Sequence, residues 1–413
     1  MGRMRLVFVN RFFWPDHSAT SQLLSDLAFH LAGRGLSVSV VTSRLRYDAP
    51  NARLPAAESV RDVRVHRVWT TRFGRGRLIG RAADYLSFYL SASWRLFRVV
   101  SPDTVVVAAT DPPLVSLVAA MVARLRGAVL VNWCHDLFPE VAAALGIKLA
   151  GGPIGKALQR LRNASLRRAA CNVVLGERMA DRLIAEGVPR DRVRVIHNWA
   201  DGAAIRPAPS AHGRLRRDWG LAGKFVVGYA GNLGRAHDVA TMLDAATALR
   251  DRDDVVFLFV GGGARFDRAR RNADRRGLGN VLFRPYQPRD ALPDLLTLID
   301  LHVVTLLPAL EGLIVPSKFY GIAAAGRPTL FVGDPDGEIP RILMSWDCGF
   351  AVGVADVDGA AAAIQDLASN ADRCDQLGSN ARQAFDRHFS MQSALDLWFE
   401  ALSARTGNEA QSR

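Results

Sequence analysis

The chain has 413 residues, of which 49% are hydrophobic, enough for about two domains with buried cores. Lysine and arginine number 53 against 40 acidic residues, a formal net charge of +13. Two interpretations of this surplus stay open: partners that carry negative charge, or the habit of an arginine-rich proteome. The four cysteines form no CxxC pair, which excludes a disulfide framework and a cysteine–zinc site and indicates a reducing compartment.

The N-terminus indicates neither a leader nor an anchor. Its apolar run before Asn10 is short and no small-residue cleavage site follows, so we interpret it as a first β-strand. No run reaches the roughly 18 apolar residues that a spanning helix needs. The longest candidate, residues 113–131, is interrupted by Arg124, Arg126 and Gly127. We therefore expect a cytoplasmic protein, peripheral on the inner face of the cell membrane.

Short apolar runs alternate with helical patterns along both halves of the chain. The runs include RLVFVN, SVSVVTS, TVVVAAT and AVLVNWC in the first half and KFVVGYAGN, VVFLFVGGG, LHVVTLL and PTLFVG in the second. This alternation predicts an α/β protein with two Rossmann-like domains, each a parallel sheet covered by helices. An Ala/Pro/Gly-rich break at 199–213 separates them. We expect domains at 1–200 and 201–389, a helix and tail at 390–413 packing back toward the first domain, and ligands in a cleft at the carboxyl ends of the strands.

The segment at 71–100 is the most basic and aromatic part of the chain. Five large aromatic residues are interleaved with six arginines and one acid, Asp84; the arginines are Arg72, Arg75, Arg77, Arg81, Arg95 and Arg98. The pattern predicts an amphipathic helix on an anionic membrane surface, with Arg75, Arg77 and Arg81 in contact with it. The alternative is a core helix with a solvated arginine face. No nucleic-acid reader motif accompanies the charge, so we expect no nucleic acid partner.

His135 and Asp136 follow directly after a predicted strand, at its carboxyl end. A His–Asp pair in this place suits hydrogen bonding to a sugar or acid/base chemistry. The alternative is that Asp136 caps the following helix. Glu140, directly after Pro139, fits a carboxylate in the first turn of that helix.

The stretch GYAGNLGRAHD, residues 228–238, combines a strand end with two glycines and two basic residues. Gly231 and Gly234 allow a tight turn, Arg235 and His237 stand in it, and Asp238 or a neighbour begins a helix. A turn of this kind can cradle a diphosphate, although glycines also end many strands without binding anything. The later FVGGGARFD is not a GxGxxG fingerprint, which disfavours a nicotinamide enzyme.

The stretch EGLIVPSKFYGIAAAGRP, residues 311–328, reads as a loop that enters a helix of small residues. Ser317 is placed to cap the first turn, and Lys318 adds a cation beside the free backbone amides. The combination predicts an anion site. Asp334 and Asp336 have a metal-like spacing, but Pro335 and Gly337 indicate a turn, and we expect no metal there.

In their order along nearly the whole chain, these segments resemble glycosyltransferase family 4, the retaining transferases with the GT-B fold, of the type that builds bacterial capsule, exopolysaccharide and O-antigen. RVRVIHNWAD resembles the family's entry to the linker and PSKFYGIAAAGRPTLFVGDPDGEI its donor region. The resemblance implies a UDP- or GDP-linked sugar donor, a lipid-linked glycan acceptor, and neither cofactor nor metal.

The resemblance also implies roles for residues. The residues expected to bind the donor diphosphate are Gly231, Asn232, Gly234, Arg235, His237, Ser317 and Lys318. The residues expected to line the nucleotide cleft are Gly261, Gly262, Arg284 and Pro285. His135, Asp136 and Glu311 become the candidates for catalysis, and Ser18 and Thr20, in the stretch that resembles the family's first loop and helix, become candidates for acceptor binding.

The chain departs from the family pattern at two places. The second of the family's two glutamates falls at about Gly321, and its usual cradle arginine and lysine fall near Asn232 and His237. Arg235 and Lys318 are then the cations left to neutralise the diphosphate. A second hypothesis follows from Gly321: a scaffold subunit of a glycan-assembly complex that keeps the fold without turnover.

Overall fold

The computed structural model describes residues 4–47, 52–74, 78–208 and 214–410. The chain divides into two compact units. Unit 1 comprises Met1–His197 and Leu395–Arg413, and unit 2 comprises Asn198–Ala394. All four cysteines are buried, and none of them forms a disulfide.

Unit 1 is built on an eight-stranded sheet with the order β3-β4-β2-β1-β5-β6-β7-β8. Its strands are β1 Arg5–Val9, β2 Ser37–Ser43, β3 Ala57–Val60, β4 Val63–Val68, β5 Thr104–Ala108, β6 Val129–Cys134, β7 Cys171–Val174 and β8 Val193–Val195. Every pair is parallel except β3 with β4. The central strand places Leu6 beside both Val38 and Val105, all of them buried. The predicted parallel sheet is thus confirmed, with one antiparallel edge strand that the prediction missed.

The helices of unit 1 follow its strands in alternation. They are α1 Ala19–Gly33, α2 Leu78–Val99, α3 Val115–Arg126, α4 Glu140–Ala144, α5 Lys148–Gly151, α6 Pro153–Arg168 and α7 Glu177–Ala185. Helix α2 buries Phe88, Ala92 and Leu96, which are spaced by four residues along one face. These side chains join the core that covers β1 and β5.

Unit 2 is built on a six-stranded parallel sheet with the order β11-β10-β9-β12-β13-β14. The strands are β9 Phe225–Asn232, β10 Val255–Gly262, β11 Val281–Pro285, β12 Leu301–Thr305, β13 Thr329–Val332 and β14 Gly349–Val352. The helices are α8 Arg214–Asp218, α9 Ala240–Ala248, α10 Phe266–Arg275, α11 Leu292–Leu298, α12 Lys318–Ala324, α13 Glu338–Trp346, α14 Val357–Ser369 and α15 Ala371–Ala384.

Alternate residues of β10 enter two different cores of unit 2. Phe257 and Phe259 belong to the larger cluster, while Leu258 and Val260 belong to a smaller one. Successive side chains of a strand point to opposite faces, so a sheet buried on both faces needs an unbroken apolar run. Because the strands of this unit are unbroken apolar runs, they could be predicted from the sequence.

The last helix, α16, spans Met391–Ala410 after a π-helical turn at Phe385–Phe389. Trp398 of this helix is fully buried, and its ring centroid lies 4.8 Å from that of Trp133 in β6. Among the helices that the structure describes, none has the length and apolar character needed to cross a membrane.

Candidate functional site

The carboxyl end of β9 carries the polar cluster that the sequence singled out. The loop after β9 is bound to the loop after β10, since Leu233 donates its amide to Gly262 and Arg265 donates its amide to Leu233. Gly231, at the strand end, has a φ of +121°, which residues with a side chain rarely adopt. A Cβ added there would lie 2.9 Å from Cε of Lys318. Glycine at this position therefore leaves the space that the Lys318 side chain occupies.

Lys318 reaches back from the start of α12 to β9. Its Nζ lies 3.7 Å from the centroid of the Tyr229 ring and 3.4 Å from the Asn232 carbonyl oxygen, and it donates to the Tyr229 hydroxyl. That hydroxyl in turn donates to the Asn232 carbonyl at 2.8 Å. Burial lowers the pKa of Lys318 to about 7. Its described partners are one aromatic ring and two neutral oxygens, so no direct carboxylate partner offsets the cation.

His237 closes the other side of this cluster. Its Nδ1 donates to the Thr305 carbonyl at 2.8 Å, which fixes the proton on Nδ1. Burial, and next Lys318, lower the pKa of His237 to about 4, so the ring is neutral near pH 7. Arg265 donates from Nη1 to the His237 carbonyl at 2.5 Å. Its guanidinium is the second positively charged group of the cluster, after the ammonium group of Lys318. The site can therefore receive an anion through Lys318, since a cation without an acidic partner favours one.

Arg235 and Gly234 lie in the same turn. The Arg235 side chain is exposed and makes no hydrogen bond or ion pair with another residue in the described parts of the chain. Asp238 accepts a hydrogen bond from the Thr241 amide at 3.0 Å and so supports the start of α9, as expected of a residue that begins a helix.

The predicted cap by Ser317 is wrong. Ser317 does precede the first residue of α12, but its side chain is exposed and makes no capping hydrogen bond. Its backbone is already helical, with φ −66° and ψ −17°, whereas a capping side chain needs an extended backbone.

The side chain of Glu311, which precedes α12 in the sequence, lies against the first residue of α13. Its Oε1 accepts hydrogen bonds from the amides of Glu338 at 2.9 Å and of Gly312 at 3.3 Å. Burial raises the pKa of its carboxyl, while the two amides act in the opposite direction. The geometry thus gives Glu311 a structural task at a helix start, and its catalytic role stays a prediction.

The four residues expected in the nucleotide cleft have different environments. A Cβ on Gly261 would lie 2.1 Å from the Gly231 carbonyl oxygen, and one on Gly262 would lie 2.9 Å from the Tyr286 ring. Pro285 is exposed at the end of β11. The Arg284 guanidinium lies 5.7 Å from the centroid of the Trp219 ring. Close packing against β9 thus accounts for Gly261 and the Tyr286 ring for Gly262, and a nucleotide contact stays a prediction.

In unit 1, His135 and Asp136 differ sharply. His135 is only 5% exposed, its ring centroid lies 4.5 Å from that of Trp133, and burial lowers its pKa to about 3. Asp136 is exposed as a residue, but the surrounding protein removes water from its carboxyl, and this desolvation, followed by the charge of Asp111, raises its pKa to about 6. Asp136 does not cap the next helix, because α4 begins at Glu140. The helix-cap interpretation of Asp136 is therefore wrong.

Ser18 and Thr20 lie at the beginning of α1. The Ser18 amide donates to Oδ1 of Asp16 at 2.8 Å, and Thr20 is half-buried in the first turn. Their role with an acceptor stays a prediction.

The basic aromatic segment is helical from Leu78, as the sequence indicated. Arg81 is half-buried in α2, whereas Arg75 and Arg77 lie outside the described residues. Asp84 is buried, accepts hydrogen bonds from Thr71, Phe73 and Gly74, and lies 3.6 Å from Arg11. Asp84 therefore anchors the segment that precedes α2.

An apolar stripe covers the outer face of α2 and continues onto α3. Its side chains are between 42 and 86% exposed; they are Ile79, Leu86, Leu90, Trp94 and Phe97 on α2 and Met121 and Leu125 on α3. The Arg98 guanidinium lies 4.3 Å from the centroid of the Trp94 ring, and that of Arg126 lies 5.0 Å from the Phe97 ring. The helix is thus apolar on both its core face and its outer face, which a solvated arginine face does not explain.

Within the described ranges, no group of three His, Cys, Asp or Glu side chains is arranged to hold a metal ion. Asp336 donates its amide to Oδ1 of Asp334 at 3.0 Å, and this hydrogen bond forms the turn that the sequence indicated.

Comparisons with known proteins match each half of the chain to a glycosyl transferase family model. Residues 20–199 match the family described as "Glycosyl transferase 4-like domain", and residues 213–384 match "Glycosyl transferases group 1". The chain belongs to the family 4 glycosyltransferases.

Three curated relatives are between 28 and 31% identical to this chain within the segments that match. WcaI of Escherichia coli, named as a colanic acid biosynthesis glycosyl transferase, is 31% identical over 56% of this chain and 58% of its own length. WbjE of Pseudomonas aeruginosa, named as a glycosyltransferase, is 28% identical over 67% of this chain and 70% of its own. A Mycobacterium tuberculosis protein named GDP-mannose-dependent alpha-mannosyltransferase is 29% identical over 65 and 64% of the two chains. The match thus spans 58% of the length of WcaI.

Solved structures show the GT-B fold. Anabaena HepE, in complex with UDP and glucose, superposes with a TM-score of 0.72 at 18% identity, over 97% of this chain and 100% of that one. WaaG, a glycosyltransferase involved in lipopolysaccharide biosynthesis, gives a TM-score of 0.68 at 14% identity, over 95 and 99% of the two chains. The expected fold class and family are both confirmed.

Two residues of the polar cluster around Lys318 could not be identified from the sequence. Tyr229 lies in an apolar strand run and reads as a core aromatic, and Arg265 reads as one of many surface arginines. The sequence did contain an indication for Tyr229, because a tyrosine close to a glycine turn places its hydroxyl near the end of the strand. Nothing in the sequence pairs Arg265 with His237.

Proposed function

We propose that the protein transfers a sugar from a UDP- or GDP-linked donor to a lipid-linked or growing glycan in the synthesis of a bacterial cell-surface polysaccharide. The single observation that carries the proposal is Lys318, a cation without an acidic partner among its described contacts, held against Tyr229 at the end of β9. This position suits the diphosphate of the donor. The relatives' names point the same way, since they include colanic acid synthesis and dependence on GDP-mannose.

In this proposal the leaving diphosphate does most of the chemistry. As the bond between the anomeric carbon and the phosphate oxygen breaks, negative charge grows on that oxygen, and Lys318 and Arg235 stabilise it. The acceptor oxygen forms the new bond on the same face of the sugar, and its proton passes to the leaving phosphate oxygen. The reaction then retains the anomeric configuration and needs no metal. A hydrogen bond from Lys318 that strengthens as charge develops lowers the barrier rather than tightening substrate binding alone.

Asp136 is the member of the His–Asp pair to which we assign contact with the donor sugar or the acceptor hydroxyl. Its exposure allows that contact, whereas His135 is buried against Trp133. A carboxyl whose pKa is about 6 is well matched to exchanging a proton near neutral pH.

The apolar stripe supports membrane attachment as part of the function. Apolar side chains on α2 and α3 are flanked by Arg98, Arg124 and Arg126, the combination that binds the interface of an anionic bilayer. We propose that unit 1 attaches to the inner face of the cell membrane through this stripe and there meets a lipid-linked acceptor.

A scaffold without turnover is the second candidate, and Gly321 is the observation that favours it. A Cβ at Gly321 would meet only the Leu296 side chain, at 3.5 Å, so packing alone does not demand the absence of a carboxylate at this position. A protein that does not catalyse the transfer has no need for a carboxylate at this position, so its loss would have no effect on function.

Release of nucleoside diphosphate from a panel of UDP- and GDP-linked sugars separates the two candidates. The transferase predicts slow release with water as acceptor for at least one donor, and faster release with membrane-extracted lipid-linked glycans. Absence of release from every donor in the presence of those glycans, by a protein that still binds a nucleoside diphosphate, would establish the scaffold.

A further inference from the structure

Unit 1 contains a cavity of about 110 Å³ between the carboxyl ends of β5 and β6. Thr110 follows β5, Asn132 lies in β6 and Arg162 comes from α6; all three line the cavity. Most of the remaining lining is apolar and includes Leu137 and Val141. The space holds several water molecules, and therefore also a group of four heavy atoms.

Three polar atoms of the lining have no hydrogen-bond partner in the described parts of the chain. They are Oγ1 of Thr110, Oδ1 of Asn132 and Nη1 of Arg162. Asn132 and Arg162 are only 1 and 5% exposed. Native proteins leave few buried polar atoms without a partner, so three around one cavity indicate a polar guest.

The hydrogen-bond chain behind Asn132 determines what that guest must donate. Asn172 donates its Nδ2 to the carbonyl oxygens of Leu166 and Arg192, so its Oδ1 faces Asn132 and accepts the Asn132 Nδ2 at 2.9 Å. Oδ1 of Asn132 is therefore left as an acceptor. The guest needs one donor for Asn132 and one acceptor for Nη1 of Arg162.

The charges around the cavity exclude an anionic guest. Nη2 of Arg162 lies 2.6 Å from Glu140 and 2.5 Å from Glu186, and Arg182 lies 3.5 Å from Glu186, so the two arginines and the two glutamates balance one another. Asp136, also in the lining, adds a further acid. A phosphate or carboxylate would meet net negative charge here. The guest is neutral, and part of it is apolar because much of the lining is.

We infer that this cavity receives the acetamido group of an N-acetylated acceptor sugar. The amide N–H donates to Asn132, the carbonyl oxygen accepts from Arg162 and from the Thr110 hydroxyl, and the methyl group packs against Leu137 and Val141. Water also offers a donor and an acceptor, but it leaves the apolar lining without a partner. The inference rests on the proposed function, because it names the substrate class of that transferase.

The test uses methyl glycosides of N-acetylglucosamine and of glucose, titrated into the full chain without donor and followed by ligand-observed NMR. The wild type should bind the N-acetylated probe at least about tenfold more tightly. Val141→Phe fills the cavity and should abolish the preference, and Thr110→Val removes one hydroxyl at constant shape and should reduce it. Arg162 is left unchanged because it holds Glu140 and Glu186. Thr247→Val in α9 of unit 2 makes the same change far from the cavity in sequence and should alter nothing.

Equal affinity of the wild type for the two probes, or a preference that survives both cavity variants, would show that the cavity holds water only and would overturn the inference. A preference seen only between UDP-N-acetylglucosamine and UDP-glucose would move the acetamido group to the donor and overturn the acceptor assignment. Donor turnover is measured separately. A wild type that shows turnover but no preference between the two probes contradicts this inference alone, whereas a wild type that shows the preference without any turnover contradicts the proposed function alone.

Discussion

The side-chain nitrogen of Lys318 lies 3.7 Å from the centroid of the Tyr229 ring, although the two residues are 89 positions apart. A cation over an aromatic face gains roughly 0.5–2 kcal/mol, which offsets part of the cost of burying the ammonium group. The remaining cost appears as a pKa lowered to about 7. An anionic ligand would supply the missing charge partner, so ligand binding and protonation of Lys318 should be coupled.

Affinity for a nucleoside diphosphate should therefore fall as the pH rises above 7. The bound diphosphate favours charged Lys318 and raises its pKa, so binding is strongest below the unbound value of about 7 and weakens as the pH rises. Calorimetry between pH 7 and 9 measures this, because the terminal phosphate, with a pKa near 6, is already ionised. Lys318→Arg is the control: it keeps its charge throughout, so its affinity should not change with pH. A flat profile for the wild type would contradict the coupling.

Gly231→Ala should weaken donor binding and lower stability together. The new Cβ would lie 2.9 Å from Cε of Lys318 at a φ of +121°, so both the lysine and the backbone must shift. Strain of this kind costs on the order of 1–3 kcal/mol. Gly279→Ala is the matched control, since its Cβ would meet nothing within 4 Å. Equal melting temperatures and equal affinities for a nucleoside diphosphate in the two variants would contradict this prediction.

Glutamate at Leu90 and Trp94 together should release the protein from anionic vesicles. Both side chains are exposed in the apolar stripe, and burying each in the bilayer interface contributes about 1.5–3 kcal/mol. The loss should exceed about a hundredfold in partition coefficient, measured by co-sedimentation with vesicles containing phosphatidylglycerol. Met344→Glu, which changes an exposed side chain in α13 of unit 2, should leave partition nearly unchanged. Membrane binding undiminished in the double variant would refute the role of the stripe.

Asp136→Asn should lower turnover without lowering the melting temperature. The side chain caps no helix, and its pKa of about 6 means that the folded protein disfavours the ionised carboxyl. Removing that charge should therefore not destabilise the fold at neutral pH. The loss should be greatest above pH 6, where the wild-type carboxyl is ionised. Turnover rates and melting temperatures, measured on the same samples of the wild type and the variant, test this prediction. Unchanged rates would remove Asp136 from the site.

The sequence allowed most of the fold to be predicted because the strands of both sheets are buried on two faces. Such strands read as continuous apolar runs, and their order with the helices followed directly. The edge strand β3, with the sequence AESV, was missed because it pairs only with β4 and its side chains are half-buried or exposed. Its pairing depends on backbone hydrogen bonds and on a two-residue turn with positive φ at Arg61 and Asp62, which no apolar pattern reveals.

The candidate site was predictable in part. Glycine-rich turns at strand ends directed attention to Gly231 and His237, and the PSK loop directed it to Lys318. The path of the Lys318 side chain across Gly231 to Tyr229 is a tertiary contact, which local patterns do not contain. Ser317 was misjudged for a local reason, since a serine before a helix caps it only with an extended backbone, and here the backbone is already helical.

The most direct test of the account is the affinity of UDP and GDP for the wild type and for Lys318→Ala, measured by calorimetry at pH 7. A charge-assisted hydrogen bond to phosphate contributes roughly 1.5–3 kcal/mol, so the variant should bind about 10- to 100-fold more weakly and lose at least as much catalytic efficiency. Lys224→Ala, which changes a half-buried lysine of unit 2 whose ammonium group donates to the Asp253 carbonyl, should bind as the wild type does. Equal affinities and equal turnover for the wild type and Lys318→Ala would contradict the account.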